Sequence, residues 1–188
     1  MIIVRRPSAQ RSQNLLDDQR DAPLTYAHAG GTRDDPMPAG YVHDRYEIDL
    51  GTGEAAFAKA CDGLRQWACH AGARIAVYPE TPELKTGNVL VMSLPARGFW
   101  VLAACRIVYV IDEANRFGFA YGTLPAHPEE GEEAFMVERG DDDRVVLRII
   151  VFSKPRDLLA RLGRRSGRRL QVATTKRFLR GLRDFVAT

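Results

Sequence analysis

The segment 116–135, RFGFAYGTLPAHPEEGEEAF, contains most of the side chains that could perform acid–base chemistry or hold a ligand. His127 lies between Pro125 and Pro128, and a histidine in such a rigid loop can act as a general base or bind an acidic ligand. A histidine in this setting more commonly caps a turn. The sequence leaves both roles of His127 open.

Two adjacent glutamates, Glu132 and Glu133, lie near the end of this segment. Because neighbouring side chains of a strand point to opposite faces, they cannot form a two-carboxylate acid–base pair. One of them is expected to face inward, where a carboxylate needs a cation. The candidate cations are Arg106 in a facing strand and Arg168 or Arg169 in the final helix. The pattern therefore predicts a structural ion pair, unless a ligand intervenes.

The first half of the segment alternates large and small side chains. Phe117, Phe119, Tyr121 and Thr123 would point to one side of a strand, and the residues between them are two glycines and an alanine. Glycine in a strand often marks close packing by another segment, which is the simpler interpretation. The other interpretation is that the missing side chains leave room for a ligand.

Two helices and a strand are predicted in the first half of the chain. Residues 7–20 show a short helical pattern, and the chain is then irregular up to Tyr41. Alternating apolar residues predict a strand around 42–50. A longer helix is predicted from Thr52, as its N-cap, to Gly72, as its stop signal.

Six more strands and one long helix are predicted in the rest of the chain. The strands lie around residues 73–79, 87–94, 99–111, 116–123, 132–139 and 144–152. The helical pattern runs from Pro155 to Val186, with an apolar stripe formed by Leu162, Ser166, Leu170, Thr174, Phe178, Leu182 and Phe185. This order predicts an α+β fold in which a curved antiparallel sheet of about seven strands grips a long C-terminal helix. It is the helix-grip architecture of START and Bet v 1-like proteins, which usually enclose a cavity between sheet and helix.

The alternation within two strands predicts which face of the sheet meets that helix. Two apolar rows should do so, one formed by Phe99, Val101, Ala103, Cys105, Ile107, Tyr109 and Ile111 and the other by Val145, Leu147, Ile149 and Val151. The opposite faces are also partly apolar, which would be costly to leave exposed. We therefore expect residues 1–40, or a partner subunit, to cover part of the outer face of a core formed by residues 41–188 within one domain.

Composition excludes several classes of protein. The chain has 188 residues, of which 45% are hydrophobic and 27% charged, as in an ordinary globular domain. It contains no apolar run long enough for a transmembrane helix, and its start, MIIVRR, does not resemble a secretory signal, so a cytoplasmic location is predicted. The three cysteines and four histidines show no metal-ligand spacing, and no nucleotide fingerprint is present, so neither a metal nor a cofactor is predicted.

Positive charge is concentrated at the C-terminus. From Lys154 onward there are eleven Lys or Arg residues and two acids, against a net charge of +3 for the whole chain. The basic stripe of the predicted helix consists of Arg161, Arg165, Arg168, Arg169, Lys176, Arg180 and Arg183. Such a stripe could bind nucleic acid or an anionic membrane. Because no nucleic-acid motif accompanies it, a solvated face partly neutralised by the acidic hairpins at 129–133 and 141–143 is favoured.

Several motifs carry a family resemblance along nearly the whole chain: PLTY, LGTGEAAFAKA, CRIVYVIDE, RFGFAYGTLPAHPEEGEEAF and VFSKP. The chain resembles an uncharacterised family of bacterial and plant proteins, the "domain of unknown function nineteen-ninety". The resemblance implies that the N-terminal segment belongs to the fold. It implies no established activity.

Three functional hypotheses follow. The favoured one is a non-enzymatic binder of a small apolar or amphipathic ligand, with Tyr121, Thr123, His127 and Glu133 near the polar mouth of a cavity and Arg106 as a further binding residue. The second is an enzyme of the cyclase or hydrolase type on the same scaffold, with His127 as its base. The third is a module that binds nucleic acid or an anionic membrane through the terminal helix.

Overall fold

The computed structural model of this protein describes residues 2–96, 98–156 and 164–188. The helices in these ranges are α1 (Ala9–Gln19), a 3-10 turn (Gly31–Arg33), α2 (Gly53–Arg65), α3 (Ala68–Gly72) and α4 (Arg164–Ala187). The strands are β1 (Ile2–Ile3), β2 (Val42–Thr52), β3 (Ala76–Tyr78), β4 (Val89–Ala96), β5 (Phe99–Glu113), β6 (Arg116–Thr123), β7 (Glu129–Arg139) and β8 (Arg144–Pro155).

All eight of these strands belong to one curved antiparallel sheet, in the order β2-β8-β7-β6-β5-β4-β3. The short β1 pairs with Trp100 and Val101, at the start of β5. The pairing of β5 with β6 begins only at Cys105. The predicted α+β helix-grip fold, with six strands between a first strand–helix unit and a long terminal helix, is confirmed. Of the predicted terminal helix, residues 157–163, including Arg161 and Leu162, lie outside the described ranges.

The main core lies between the concave face of the sheet and the helices α2, α3 and α4. Its fully buried side chains include Leu64 of α2, Phe119 and Phe135 of the sheet, and Leu182 of α4. The apolar row of β8 from Val145 to Val151 belongs to this core, as its alternation predicted. None of the helices in the described part of the chain is both long and apolar enough to cross a membrane.

The predicted helix from Thr52 to Gly72 is in fact two helices. Trp67, between α2 and α3, has a left-handed backbone with φ of 58°. This conformation is unfavourable for a bulky residue, so tertiary contacts must hold it. The indole of Trp67 is buried, and its Nε1–H donates to the carbonyl of Pro82 at 2.9 Å. The break allows α3 to turn and pack against α4.

Helices α3 and α4 approach each other closely at two glycines. A Cβ atom added to Gly72 would lie 2.4 Å from the Cα atom of Gly181. Only glycine hydrogen atoms fit between these two backbones, so Gly72 and Gly181 form the point of closest contact between α3 and α4. The contact places the short helix, with its central residue His70, directly above the sheet.

The prediction for the second half of β5 is wrong. The register of β5 against β6 shifts between Ile107 and Tyr109, because β5 contains one extra residue, Val108. A bulge of this kind reverses the alternation of side chains beyond it. Cys105 and Ile107 therefore face the concave core, whereas Tyr109 and Ile111 pack on the convex face.

Residues of the N-terminal segment cover the convex face. Leu16 of α1 packs on Leu102 and neighbouring apolar residues, and Tyr26 packs edge-on against Phe152. Tyr26 also occupies the bare side of β6: a Cβ atom added to Gly122 would lie 2.1 Å from the Tyr26 hydroxyl oxygen. Close packing by another segment thus explains Gly122, and the space for a ligand lies on the opposite side of the strand.

Candidate functional site

A cavity of about 940 Å³ lies between the concave face of the sheet and α4. Its apolar wall comes from four strands, α4 and the turn before β3, and consists of Val42, Ile75, Met92, Leu94, Val101, Val151, Leu170 and Phe178. Its polar side chains are contributed mainly by β6, β7, the loop between them and α4, and include Tyr121, Thr123, His127, Glu129, Glu133, Ser153, Arg168, Arg169, Gln171 and Thr174. The volume is typical of sites for small organic ligands.

Four of the five residues suggested by the sequence line this cavity: Tyr121, Thr123, His127 and Glu133. The Thr123 hydroxyl is already used, because its Oγ1 accepts the Gly131 N–H at 3.0 Å. Arg106 requires a correction. It follows Cys105 in β5 and therefore points to the convex face, where its guanidinium donates to the carbonyl of Arg20 at 2.7 Å.

Glu133 projects from β7 into an environment without a counter-charge. Its Oε2 accepts a hydrogen bond of 2.7 Å from the hydroxyl of Tyr121, which lies opposite it on β6. It forms no ion pair with a lysine or arginine in the part of the chain that the structure describes. The pKa of Glu133 is raised to about 7, mainly by burial and in smaller part by the carboxylates of Glu129 and Asp44, whereas the hydrogen bond from Tyr121 lowers it.

His70 extends this hydrogen-bonded chain into the core. Its Nε2 lies 3.2 Å from the Tyr121 hydroxyl, and its buried Nδ1 has no hydrogen-bond partner among the residues that the structure describes. Burial lowers the pKa of His70 to about 3, so the imidazole is neutral at physiological pH. The local pattern does not single out His70, because this residue lies within the apolar pattern of the predicted Thr52–Gly72 helix. The sequence feature that could have identified His70 as a site residue is its position as a single histidine on that apolar face.

Glu132 has a different role on the convex face. Its carboxylate accepts hydrogen bonds from Tyr26 Oη at 2.7 Å and from the backbone N–H of Gly30 at 2.7 Å. Thr32 donates two more, from its backbone N–H at 3.0 Å and from its hydroxyl. No arginine participates, so the predicted ion pair of the inward glutamate is absent from both Glu132 and Glu133 among the described residues. Glu132 anchors the N-terminal segment, and Glu133 faces the cavity.

His127 combines a turn-capping role with a place in the cavity wall. Its ring Nδ1 accepts the Glu129 backbone N–H at 3.0 Å and lies 3.1 Å from the Glu129 carbonyl oxygen, and the backbone N–H of His127 donates to the Leu124 carbonyl at 2.8 Å. Burial lowers the pKa of His127 to about 4, which makes the imidazole a weak proton acceptor.

The polar end of the cavity is organised around Arg168 and Gln171 of α4. Arg168 forms a bidentate ion pair with Asp44 of β2, and its guanidinium also donates to Gln171 Oε1 at 2.9 Å. Gln171 Nε2 donates to Ser153 Oγ at 3.0 Å and to Glu129 Oε2 at 3.3 Å. Burial raises the pKa of Glu129.

Among the described residues, the predicted partial neutralisation of α4 by the acidic hairpins is limited to an electrostatic interaction between the Glu129 carboxylate and Arg168. Within the described ranges, Glu130 pairs with Lys154 at 2.9 Å and Asp143 with Arg139 at 3.8 Å, and neither hairpin forms an ion pair with α4. Asp44 supplies the counter-charge instead. In the same ranges no cluster of three or more His, Cys, Asp or Glu side chains could hold a metal ion.

The sheet, the terminal helix and the cavity between them define a helix-grip protein of the Bet v 1/START-like class. A hypothetical protein of Helicobacter pylori matches with a TM-score of 0.56 and 17% identity, over 78% of this chain and 88% of that one. Ara h 8.0201 matches with a TM-score of 0.52 and 12% identity, over 79% and 99% of the two chains. These similarities establish the fold.

The chain belongs to the family "Domain of unknown function (DUF1990)", which matches residues 25–181. The UPF0548 protein of Dictyostelium discoideum is 30% identical over 184 residues, covering 87% of this chain and 85% of its own. The UPF0548 protein of Deinococcus radiodurans is 29% identical over 164 residues, covering 82% and 83%. The family predicted from the sequence motifs is confirmed.

Proposed function

We propose that this protein binds a small amphipathic molecule, without converting it, in the cavity between the sheet and α4. The observation that carries the proposal is the cavity of about 940 Å³, with an apolar wall and polar groups collected towards the start of α4. A molecule with an apolar body and one polar end would match both parts. The helix-grip fold, whose members commonly bind ligands, supports the proposal.

The apolar wall would supply most of the binding free energy. A ligand that buries about 300 Å² of apolar surface gains roughly 7 kcal/mol before the loss of its own freedom is subtracted. The polar groups would then select the ligand and orient it. Micromolar dissociation constants, equivalent to about 8 kcal/mol, are the expected scale for a good ligand.

Two side chains, His127 and Arg168, favour ligand binding over catalysis and over nucleic-acid or membrane binding. His127 already uses its Nδ1 to accept the Glu129 N–H and has a pKa of about 4, which disfavours it as a general base. Arg168, in the basic stripe of α4, is held by Asp44 and is not free for a phosphate group. We place this binding function in the cytoplasm, in keeping with three free, buried cysteines.

The proposal is tested by blocking the cavity from α4. Thr174 lines the cavity, whereas Lys176 is exposed on the same helix, so Thr174→Trp and its control Lys176→Trp place the same ring in different surroundings. We expect titration with N-phenyl-1-naphthylamine, a fluorophore without charge at pH 7, to show one site in the wild type and in Lys176→Trp. Thr174→Trp should weaken that site about tenfold or more.

Near-ultraviolet circular dichroism would show that both variants keep a packed core, because this dye also binds partly unfolded states. Native mass spectrometry of the protein purified from its own host adds a second measurement, in which we expect a retained organic mass. Equal dye binding by the wild type and by folded Thr174→Trp would contradict the proposal.

A further inference from the structure

We propose that the ligand carries a cationic nitrogen, such as an amine or ammonium group, and that the Glu133 carboxylate recognises it. This inference rests on the proposed binding function and names the chemical class of the ligand. The argument starts from the incomplete set of partners around the Glu133 carboxylate on the cavity wall.

A carboxylate has two oxygens and about four positions at which it can accept a hydrogen bond. Glu133 uses one of them, for the Tyr121 hydroxyl at 2.7 Å, and has no lysine or arginine partner in the described ranges. Glu132, its neighbour on the other face, accepts four hydrogen bonds. Glu133 is partly buried and faces the cavity, and a carboxylate there with one protein partner is stabilised by a proton or by a cation.

The charges that face Glu133 leave room for a cation and disfavour an anion. Glu129 lies on the same strand and Asp44 on β2, and both carboxylates raise the pKa of Glu133. Of the two arginines in the wall, Arg168 is held by Asp44, and Arg169 is exposed at the start of α4. The potential at Glu133 is therefore negative, and a ligand cation would be the first positive charge in direct contact with it.

The other titratable groups around Glu133 are neutral at physiological pH. Burial raises the pKa of Cys69 and of Cys105 above the physiological range. Burial lowers the pKa of His127 to about 4 and that of His70 to about 3. None of these side chains can replace a cation as the partner of the carboxylate.

An ionised Glu133 determines the hydrogen-bond directions in the core. Tyr121 has one hydroxyl proton, which it donates to Glu133, so His70 Nε2 at 3.2 Å must act as the donor to the Tyr121 oxygen. This tautomer leaves His70 Nδ1 as a buried acceptor without a partner. An unpaired acceptor of this kind is unfavourable, and it is tolerated here by the arrangement that aims the Tyr121 proton at Glu133. His70 is thus a positioning residue.

Three ligands with the same ten-carbon chain test the inference: decylamine, 1-decanol and decanoate, titrated calorimetrically at pH 7 below their aggregation concentrations. We expect decylamine to bind roughly ten- to a hundredfold more tightly than decanol, and decanoate to bind most weakly. Glu133→Gln should remove the advantage of the amine and leave decanol binding nearly unchanged. The control is Glu130→Gln, because Glu130 lies on the same strand, pairs with Lys154 and does not line the cavity.

Proton release provides an independent measurement. The pKa of Glu133 is about 7 in the protein without a ligand, so part of this side chain is protonated at pH 7. A bound ammonium group should lower that pKa, and Glu133 should then release its proton. The binding enthalpy of decylamine should therefore depend on the ionisation enthalpy of the buffer in the wild type and not in Glu133→Gln.

The outcomes separate this inference from the binding function on which it rests. If decanol binds but decylamine binds no better, or if decanoate binds best, the cavity is a binding site and the amine inference is wrong. If none of the three ligands binds, and the cavity-blocking variant does not change dye binding, both proposals are wrong.

Discussion

The hydroxyl of Tyr26 donates a hydrogen bond of 2.7 Å to Oε2 of Glu132, and both side chains are buried on the convex face of the sheet. Tyr26 belongs to an irregular part of the chain, and Glu132 to the middle of β7. The same carboxylate accepts the N–H groups of Gly30 and Thr32. One side chain of the sheet thus determines the path of the N-terminal segment.

Replacing this carboxylate should therefore destabilise the protein. Glu132→Ala leaves two backbone N–H groups and two hydroxyls without their acceptor, and we expect a loss of about 3 kcal/mol or more in the free energy of unfolding. Glu130→Ala, on the same strand, removes a partly exposed ion pair with Lys154 and a hydrogen bond of 2.9 Å from the Tyr41 hydroxyl, and should cost only about 1 kcal/mol. Chemical denaturation measures both, and equal losses would contradict the anchoring role of Glu132.

The glycine contact between α3 and α4 provides the second prediction. Gly72→Ala places a Cβ atom 2.4 Å from the Gly181 backbone, which must move, so we expect a loss of about 1–3 kcal/mol. Gly167→Ala in α4 is the control, because no atom lies within 4 Å of the added Cβ. It should be neutral or stabilising by up to about 1 kcal/mol, through helix propensity. Thermal unfolding that ranks the two variants in the reverse order would contradict this packing.

The third prediction concerns the pH dependence of stability. The pKa of Glu133 is about 7 in the folded protein, against an ordinary value of 4.5. Because folding favours the protonated form, its contribution is fully present below pH 4.5 and is lost as the pH rises towards 7. The wild type should lose up to about 3 kcal/mol relative to Glu133→Gln over this interval, and little above it. Denaturation curves at several pH values would contradict the prediction if the difference stayed constant.

The fourth prediction concerns His127 and His70. With pKa values of about 4 and about 3, neither ring should gain a proton between pH 5.5 and 8, which excludes a switch near pH 6.5 at His127. In NMR spectra the imidazole carbon-bound protons of both residues, assigned with the variants His127→Gln and His70→Gln, should keep constant shifts over this range. In urea the same signals should titrate near 6.5. An inflection near 6.5 for His127 in the folded protein would show that its ring is more accessible to solvent than its burial implies.

The sequence determined most of the fold because the relevant patterns are local. Period-two alternation placed Val145, Leu147, Ile149 and Val151 on the concave face, and turn residues separated the strands. The same logic failed where one inserted residue, Val108, changed the register of β5, because a bulge is decided by the pairing of two strands and leaves no local signal.

For the candidate site, the sequence alone determined that Tyr121 and Thr123 share a face of a strand and that Glu132 and Glu133 must face opposite ways. Only the tertiary structure decided what each glutamate meets. The N-terminal segment, about 100 residues earlier in the chain, surrounds Glu132 with donors, whereas Glu133 faces a cavity and a single hydroxyl. The physical reason is that hydrogen-bond satisfaction and burial depend on residues that are distant in sequence, whereas the alternation of a strand depends only on its own backbone.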